Sequence, residues 1–483
     1  MTLEKYFAKF RRRTIGWNQI INTPYGRRRL IYADWTGSGR LYRPIENRFL
    51  KRIYPLVANP HTESTTTSQA MTRAYNEAKM MIKKHVNARA ADVLIPAGSG
   101  ATGAIVLLQR LLGLKLAWKL VRDCRLPRRE RPVVFVTHLE HHSNHTTWLE
   151  TVADVKVIKP DKNGQVDIDD LKKLIKKYQN RKLKIAAVTA ASNVTGIAPP
   201  YYKIAELMHK NGGWCFVDFA CAAPYVKINM HPQNQWQKLD AVYFSPHKFL
   251  GGPGAVGILI FDSKLYANQV PDRPGGGTVA WTNPWGGRRY FSDIEIREDG
   301  GTPPFLQTIR AALAIKLKEE MGIEKILGRE KEIVGRLLTS LERITSLKIL
   351  DGQIKDRLGV ISFTVKEAHY NLVVKLLNDR FGVQTRGGCA CAGTYGHYLF
   401  NINRRVSKMI TDRIDRGDWS SKPGFVRLSV HPTMSDKEIS RIIEALRQIA
   451  KNHKKWSRDY KYNRQTNEFI HNPLPRNRTL RKL

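Results

Sequence analysis

Residues 241–261, which read AVYFSPHKFLGGPGAVGILIF, are the most informative part of the sequence about the fold. Two apolar runs, AVYFS and AVGILIF, flank a turn that carries His247, Lys248 and a cluster of glycines and prolines. Neither run alternates apolar with polar residues, which is typical of strands buried on both faces. Such strands belong to a mainly parallel sheet covered by helices, so the stretch predicts an α/β fold.

The same pattern recurs upstream. VVFVT at 133–137, IAAVTAAS at 185–192 and WCFVDFA at 214–220 are predicted to be further buried strands of the sheet. Amphipathic helices are predicted between them; residues 167–178, for example, have acidic residues in the first turn and lysines in the last. These features predict one large domain.

The character of the sequence changes in its second half. A stretch rich in glycine, proline and tryptophan, residues 271–287, is predicted to be a long functional loop. After two prolines, a helical run and a mixture of strands and helices predict a smaller α+β domain; its predicted elements are a helical run at 305–343, strands at 360–365 and 425–430, and helices at 370–378 and 435–451. We expect four parts: a basic segment 1–30, a large domain 31–302, a small domain 303–452 and a basic tail 453–483.

The chain of 483 residues is strongly basic, with a net charge of +39 from 81 Lys and Arg against 42 Asp and Glu. Residues 1–30 and 451–483 carry +7 and +8 of this charge. The hydrophobic content of 42% is ordinary, which excludes a disordered polycation. No zinc-finger spacing, zipper or basic stripe interleaved with aromatics occurs, so we do not expect nucleic-acid binding. The charge indicates either a solvated surface or an attraction for acidic partners.

The number of cysteines and the length of the apolar runs indicate where in the cell the protein resides. Five cysteines with no secretory signal indicate free thiols in a reducing environment; they are Cys124, Cys215, Cys221, Cys389 and Cys391. No apolar run approaches the length of about 18 residues that a membrane span needs. We expect a cytoplasmic protein without a membrane span. The arginine-rich start leaves organelle targeting open, although Glu4 argues against it.

The loops that follow the predicted strands carry candidate ligand-binding groups, because ligands of open α/β sheets bind there. AGSGATGAI at 97–105 places glycines and Thr102 at a predicted helix start, which suits a phosphate but is also a common turn. THLEHHSNHTTW at 137–148 carries four histidines without a second group that would complete a metal site. We expect no metal and assign these histidines an aromatic surface beside a flat cofactor.

Two further strand ends carry an acid and an amine. Asp218 ends the predicted strand 214–220; it is either a capping residue or a buried carboxylate that keeps a cofactor ring nitrogen protonated. Lys248 follows Ser245 and His247 and precedes a run of glycines. It is either a surface residue or a desolvated amine that can form an imine.

Six motifs in one order connect these residues to a known family. They are EHHSN (140–144), SNVTG (192–196), VDFACAAP (217–224), SPHKFLGGPG (245–254), GGTP (300–303) and RGGCACAG (386–393). The sequence resembles the class V aminotransferase family of pyridoxal 5′-phosphate (PLP) enzymes, and within it the SufS-like cysteine desulfurases and selenocysteine lyases. The similarity runs from about residue 32 to residue 449. It implies PLP fold type I, with a mainly parallel sheet of the seven-stranded type in a large domain and a smaller α+β domain.

The resemblance implies a role for each matching residue. Lys248 would be the Schiff-base lysine, Asp218 would pair with the pyridinium nitrogen, and His141 would stack on the pyridine ring. The cofactor's phosphate would be held by a set of loop residues, namely Thr102, Ala101 beside it, Ser245, His247 and, from a neighbouring subunit, Thr278. Asn193 would lie near the phenolic oxygen of PLP and the substrate, and Arg427 would grip the substrate α-carboxylate.

The RGGCACAG loop separates the subfamilies. Counting from Arg386, Cys391 falls where SufS-like enzymes have their persulfide cysteine, although an inert thiol is the alternative. Several positions depart from the family pattern. Cys221 replaces a glutamine beside the phenolic oxygen of the cofactor, and Cys389 adds a Cys-x-Cys pair that leaves a redox or disulfide role open.

The resemblance therefore implies a homodimeric, PLP-dependent cysteine desulfurase-like enzyme. It would remove sulfur or selenium from L-cysteine or selenocysteine through a persulfide on Cys391, release L-alanine and pass the sulfur to an acidic acceptor protein. Two alternatives stay open. The chain is another class V enzyme, such as an aminotransferase, an epimerase or a kynureninase-like lyase, or it is an inactive basic binding protein on the same fold.

Overall fold

A computed structural model describes residues 1–117, 119–120 and 126–472. Cys124 and residues 473–483 of the expected basic tail lie outside the described residues. The chain forms two compact units. The large unit comprises Ser38–Ser192 and Ala198–Glu324, and the small unit comprises Met1–Gly37, Asn193–Ile197 and Lys325–Leu483.

The helices and strands follow one another along both units. The helices are α1 (Leu3–Arg13), α2 (Arg43–Arg48), α3 (Thr66–His85), α4 (Gly100–Leu111), α5 (Thr146–Leu149), α6 (Ile168–Lys177), α7 (Tyr201–Lys210), α8 (Ile294–Arg297), α9 (Phe305–Met321), α10 (Ile323–Glu342), α11 (Tyr370–Phe381), α12 (Gly393–Leu399), α13 (Arg404–Asp415) and α14 (Asp436–Trp456). The strands are β1 (Ile20–Thr23), β2 (Gly26–Arg29), β3 (Ile31–Tyr32), β4 (Asp92–Ala97), β5 (Val133–Thr137), β6 (Asp154–Ile158), β7 (Lys184–Thr189), β8 (Trp214–Asp218), β9 (Ala241–Phe244), β10 (Gly257–Asp262), β11 (Val279–Thr282), β12 (Arg288–Tyr290), β13 (Leu347–Ile349), β14 (Val360–Val365), β15 (Val383–Gln384), β16 (Arg386–Gly388), β17 (Phe425–Ser429), β18 (Tyr460–Asn463) and β19 (Glu468–His471).

A seven-stranded sheet forms the centre of the large unit. Its order is β4-β10-β9-β8-β7-β5-β6, and β9, β8, β7, β5 and β6 run parallel to one another. Strand β10 is antiparallel to both β4 and β9. Every residue of β4, β5, β7 and β9 is buried. The unbroken apolar runs predicted this for β5, β7 and β9, whereas strand β4 was not predicted from the sequence. The predicted α/β fold with a mainly parallel sheet covered by helices is confirmed.

The core of the large unit packs helix α4 against one face of this sheet. Ala104, Ile105 and Leu108 on α4 are completely buried and belong to one cluster with Val134 of β5 and Phe216 of β8. The carboxyl ends of the parallel strands therefore lie on the same edge as the start of α4, which is where the predicted ligand-binding loops emerge.

An antiparallel sheet of order β13-β14-β17-β16 forms the centre of the small unit. Strand β15 pairs separately with β3 in parallel. Helix α14 begins with a capping box, in which Ser435 and Glu438 bond each other's backbone N–H groups. The N-terminal helix α1 is part of this unit, because Phe7 and Phe10 are buried and the Arg11 guanidinium donates from Nε to the Thr433 carbonyl oxygen at 2.6 Å.

The two units divide the chain differently from the expected four parts. Helix α9 packs on α3 and so belongs to the large unit, which places the start of the later small-unit segment at Lys325 instead of 303. Residues 1–30 are a helix and a hairpin of the small unit. Residues 453–472 of the expected tail complete α14 and form the β18–β19 hairpin.

Two of the predicted elements also differ from those observed. The expected loop 271–287 contains strand β11, which pairs with β12 in a hairpin. The expected helical run 305–343 is two helices, because Gly322 ends α9 with a φ of +77°, a conformation that favours glycine. Among the described helices, none combines the length and the apolar composition that crossing a bilayer requires.

We predict that the N-terminal helix contributes to the stability of the small unit. Phe7 has no exposed surface, so Phe7→Ala should lower the free energy of unfolding by about 3–5 kcal/mol in urea denaturation. Lys5→Ala, on the exposed face of the same helix, is the control and should stay within about 0.5 kcal/mol of the parent. Equal stability of the two variants would show that the helix is not packed in solution.

Candidate active site

Asp218 and Lys248 lie at the ends of two neighbouring parallel strands of the large unit. Asp218 ends β8, is 3% exposed and accepts a hydrogen bond from the backbone N–H of Ala220 at 2.7 Å. Lys248 lies in the short 3₁₀ turn Pro246–Lys248 that follows β9. Burial raises the pKa of Asp218 to about 6, and the positive charge of Lys248 acts in the opposite direction. The two predicted residues are therefore brought within electrostatic reach of each other.

Close backbone contacts hold the turn that carries Lys248. A Cβ on Gly252 would lie 1.9 Å from the Pro246 carbonyl oxygen, and a Cβ on Gly39 would lie 2.0 Å from the Phe249 carbonyl oxygen. The backbone N–H of Gly39 donates to the His247 carbonyl oxygen at 2.9 Å. Only glycine fits at these two positions, which explains Gly39 and one glycine, Gly252, of the run after Lys248.

Three hydroxyl groups meet the first turn of α4. The Ser245 hydroxyl oxygen accepts a hydrogen bond from the backbone N–H of Ala101 at 2.8 Å. The hydroxyl oxygens of Thr102 and Ser143 are 2.6 Å apart. Together with the amides of a twelve-residue helix, they form a neutral, donor-rich place for an anion. The sequence prediction named Ser245, Ala101 and Thr102 but missed Ser143, although it lies inside the EHHSN motif.

The two predicted histidines are placed beside these hydroxyls in different ways. His141 accepts a hydrogen bond at Nδ1 from the backbone N–H of Ser143 at 3.1 Å, which leaves its proton on Nε2 in the neutral ring. Burial and the nearby charge of Lys248 lower the pKa of His247 to about 4. His247 is therefore neutral at pH 7.

A buried polar network behind Asp218 was missed from the sequence. Glu140 is 1% exposed and accepts hydrogen bonds from the Thr137 hydroxyl at 2.6 Å and from the Thr189 backbone N–H at 2.9 Å. The Asn144 side-chain amide donates to it at 2.7 Å and accepts from the Tyr243 hydroxyl at 2.6 Å. Burial raises the pKa of Glu140 to about 8. The network of Glu140, Asn144 and Tyr243 ties β5, β7 and β9 together.

In the small unit, Arg427 lies on β17 and is 3% exposed. Its Nη2 donates to Asp34 Oδ1 at 2.6 Å, and the other oxygen of Asp34 accepts from Arg386 Nε at 3.0 Å. A Cβ on Gly37 would lie 2.6 Å from Asp34 Oδ2. Asp34 thus holds both arginines, and the sequence prediction did not find it. Within the described residues, Nε of Arg427 has no hydrogen-bond partner.

Asn193 connects Arg427 to the cysteine loop. Its backbone oxygen accepts a hydrogen bond from Arg427 Nη1 at 3.2 Å, and its side-chain amide donates to the Ala390 carbonyl oxygen at 2.7 Å. Its side-chain oxygen is buried and has no hydrogen-bond partner in the described part of the chain. Asn193 and Arg427, both predicted to bind substrate, therefore occur together, and each keeps one unsatisfied polar atom.

The predicted persulfide cysteine is exposed on a tight turn. The backbone N–H of Ala392 donates to the Cys389 carbonyl oxygen at 3.0 Å, and the two central residues, Ala390 and Cys391, have φ values of +49° and +56°. Two consecutive left-handed residues are unusual outside glycine, so the surrounding contacts must stabilise the turn. Cys391 is exposed, Cys389 is half-buried, and both are free thiols.

Two other predicted residues have partners of their own. The Cys221 thiol is buried and donates to the Ser192 carbonyl oxygen at 3.6 Å. Thr278 is completely buried, and its hydroxyl donates to the Gly275 carbonyl oxygen at 2.6 Å within its own loop. The contact of Thr278 with the phosphate of a neighbouring subunit stays a prediction. No group of three or more His, Cys, Asp or Glu residues in the described chain is arranged to hold a metal ion.

The family model described as aminotransferase class-V matches residues 31–442. The chain belongs to the class V aminotransferase family. This family consists of PLP-dependent enzymes, and the resemblance seen in the sequence motifs is confirmed at this level.

Similar proteins and structures agree with this assignment. A probable cysteine desulfurase of Staphylococcus aureus is 28% identical over 407 residues, which cover 81% of this chain and 93% of the relative. A probable cysteine desulfurase of Staphylococcus epidermidis is 28% identical over 379 residues, covering 77% and 86%. The apo cysteine desulfurase of Thermococcus onnurineus NA1 has the same fold, with a TM-score of 0.72, 21% identity and coverage of 92% and 98%. The cysteine desulfurase CsdA of Escherichia coli, in its S-sulfonic acid form, has a TM-score of 0.69 and 19% identity, with coverage of 92% of this chain and 98% of that chain.

We predict that Asp218 destabilises the cofactor-free protein above about pH 6. The unfolded chain releases the Asp218 proton near pH 3.8, whereas the folded protein retains it to about pH 6, so stability falls between these values as pH rises. Asp218→Asn removes this loss and should be more stable than the parent by about 3 kcal/mol at pH 7, with little difference at pH 4. Urea denaturation across this pH range measures the gap; a gap independent of pH would contradict the assignment.

Proposed function

We propose that this protein is a PLP-dependent cysteine desulfurase that removes sulfur from L-cysteine, or selenium from selenocysteine, and releases L-alanine. The observation that carries the proposal is an exposed thiol, Cys391, on a turn that Asn193 joins to the buried Arg427. A nucleophilic sulfur and a carboxylate-binding arginine are the two groups that attack on the sulfur of an amino acid requires.

The residues of the large unit fit PLP. The hydroxyls of Thr102, Ser143 and Ser245 at the start of α4 supply donors for the phosphate. Asp218 is a buried acid whose pKa is raised by burial even though the charge of Lys248 acts in the opposite direction, so it suits a protonated ring nitrogen. Lys248 supplies the amine at the next strand end. When bound, PLP supplies an electron sink, which makes the Cα proton of the amino acid more acidic and weakens the bond between Cβ and sulfur.

The chain's own residues in the large unit then hold and move protons. The Asp218 carboxylate keeps the proton on the ring nitrogen of the cofactor, since a charged pair is favoured in a buried site over an isolated acid. His141 presents a flat ring whose orientation is set by the Ser143 backbone N–H. The Lys248 amine, at Nζ, takes the proton from the substrate Cα and returns a proton later.

Residues of the small unit bind the substrate and accept its sulfur. Asp34 fixes one edge of the Arg427 fork, and the Arg427 Nε and Asn193 side-chain oxygen are the unsatisfied atoms for the α-carboxylate and the α-amino group. The Cys391 thiolate attacks the substrate sulfur, so that a sulfur–sulfur bond forms while the carbon–sulfur bond breaks. The electron pair of that bond stays with the carbon, which is protonated to give L-alanine, and Cys391 keeps the persulfide.

The assembly and the acceptor are part of the same proposal. Family active sites occur in homodimers, and we propose a homodimer in which Thr278 reaches the neighbouring subunit. The persulfide must be passed to a second molecule, and a net charge of +39 favours encounter with an acidic acceptor protein.

The cofactor assignment is tested with a lysine variant. Borohydride treatment of the PLP-loaded protein should fix the cofactor to the peptide that contains Lys248, as mass spectrometry detects. Lys248→Ala should lose this attachment, and Lys264→Ala, at an exposed lysine, should retain it. Absence of any attachment in the parent would favour the binding-protein alternative.

The sulfur-transfer step is tested with the two cysteines of the turn. Cys391→Ala should lower alanine release from L-cysteine by about a hundredfold or more, because the nucleophile is lost. Cys389→Ala is the matched control and should retain most of the activity, since Cys389 is half-buried. Cysteine must be the substrate, because selenocysteine could release its selenium without a persulfide. Unchanged activity in Cys391→Ala would indicate another class V reaction.

A further inference from the structure

The β18–β19 hairpin lies beyond residues 31–442, the part of the chain that the family model matches. It is therefore not explained by the family assignment, although it is folded against the small unit. Its loop ends at Asn467, which has a φ of +59° and is 7% exposed. Asparagine tolerates this left-handed conformation better than most residues. Because buried polar groups are normally hydrogen-bonded, the side chain of this asparagine is expected to bond to residues of the small unit.

Asn467 makes three hydrogen bonds. Its side-chain amide donates to the Tyr370 hydroxyl at 2.5 Å, and its side-chain oxygen accepts from the Tyr462 hydroxyl at 2.8 Å. Its backbone oxygen accepts from the side-chain amide of Asn371 at 2.6 Å. The hairpin is thus fixed to the first two residues of α11.

Tyr370 carries this attachment to the strands that hold the predicted substrate residues. A Cβ on Gly424 would lie 2.6 Å from the Tyr370 ring, and a Cβ on Gly387 would lie 2.3 Å from the Asn371 side-chain oxygen. The Tyr370 hydroxyl also donates to the Lys422 carbonyl oxygen at 3.3 Å. Tyr370 and Asn371 therefore pack closely against the backbone of β16 and of the residue just before β17.

These strands determine where the cysteine turn begins. In their pairing, Arg386 lies opposite Arg427, and Gly388 opposite Phe425. Cys389 follows Gly388 at once. Contacts of the hairpin with Tyr370 are therefore contacts with the base of the turn.

Residues of the two terminal segments also form hydrogen bonds at the other end of α11. Asp459, just before β18, accepts hydrogen bonds from Arg380 Nη2 at 2.6 Å and from the Tyr25 hydroxyl at 2.7 Å. The Arg380 guanidinium lies 3.9 Å from the centre of the Tyr25 ring. Helix α11 is thus held at both ends by residues outside the family match, so it is a fixed support for β16 and β17.

We propose that Asn467 is a positioning residue, which acts through Tyr370 to hold β16 and the left-handed turn of Cys391 in the geometry that sulfur transfer needs. The proposal deepens the proposed function and rests on it for the chemistry. The turn of Ala390 and Cys391 is unfavourable by itself, so it depends on the support beneath it. A displacement of about 1 Å in a reacting group is enough to slow a reaction by about a hundredfold.

The test compares Asn467→Ala and Tyr370→Phe, which remove the two ends of one hydrogen bond, with Lys461→Ala, an exposed residue of the same hairpin. In PLP-loaded protein, Asn467→Ala should lower kcat for alanine release from L-cysteine about tenfold or more, with KM and the cofactor absorption spectrum nearly unchanged. The rate of Cys391 alkylation by iodoacetamide, followed by mass spectrometry, should change in parallel. Combining Asn467→Ala with Tyr370→Phe should add little further loss.

The outcomes separate this proposal from the proposed function. A lower melting temperature with unchanged kcat and unchanged Cys391 alkylation would overturn it and leave Asn467 a merely structural residue. Fully additive losses in the double variant would also overturn the route through Tyr370. If the parent protein releases no alanine, the proposed function fails, yet the alkylation rates and amide hydrogen exchange of residues 386–392 still decide whether Asn467 holds the turn. Lys461→Ala should match the parent in every measurement.

Discussion

The large unit depends on keeping one carboxylate in an apolar sheet. Asp218 ends a strand whose neighbours are buried on both faces, and burial raises its pKa to about 6. This destabilises the cofactor-free protein, and a cation placed against the carboxylate would recover the loss. The charge of Lys248 already acts on Asp218 and does not recover the whole loss, whereas a protonated ring nitrogen would be a second such cation. The arrangement thus favours binding of a cationic ring at the same edge where α4 offers donors to an anion.

A second carboxylate organises the small unit in a different way. Asp34 accepts hydrogen bonds from both Arg386 and Arg427, so its negative charge is compensated by two positive charges. These bonds also fix the positions of the two guanidinium groups. A side chain at position 37 would collide with this carboxylate, which explains the glycine there. One buried acid prepares the large unit for a ligand, while the other holds the small unit's arginines in place before any ligand arrives.

The parts of the protein that local sequence determines were predictable. Unbroken apolar runs predicted the buried strands, and residues directly after them, Asp218 and Lys248, fell where such sheets place their ligands. The helix starting at Asp167 was predicted because its cap and charges are local. The outlines of β7 to β10 agree with the predicted strands to within two residues at the amino ends and three at the carboxyl ends.

The missed residues are those whose role depends on distant partners. Asp34 lies 393 residues from Arg427 in sequence, and no local pattern connects them. Glu140 was visible only as the first letter of a motif, since two of its partners, Thr137 and Thr189, lie on different strands. The unit boundaries were missed for the same reason: α9 follows the prolines that were expected to end the large domain, yet its buried face packs on α3. Long-range packing has no signature in a single sequence.

The basic ends of the chain gain a different meaning from the structure. Their charge indicated either a solvated surface or an attraction for acidic partners, but arginines of the N-terminal segment are used in packing. Arg11 bonds Glu4 and the Thr433 carbonyl oxygen, and Arg28 donates to the Arg380 carbonyl oxygen at 2.8 Å. Guanidinium groups suit this work because their planar forks cap backbone oxygens while the stems cover apolar surface. Part of the positive charge of the N-terminal segment therefore stabilises the small unit.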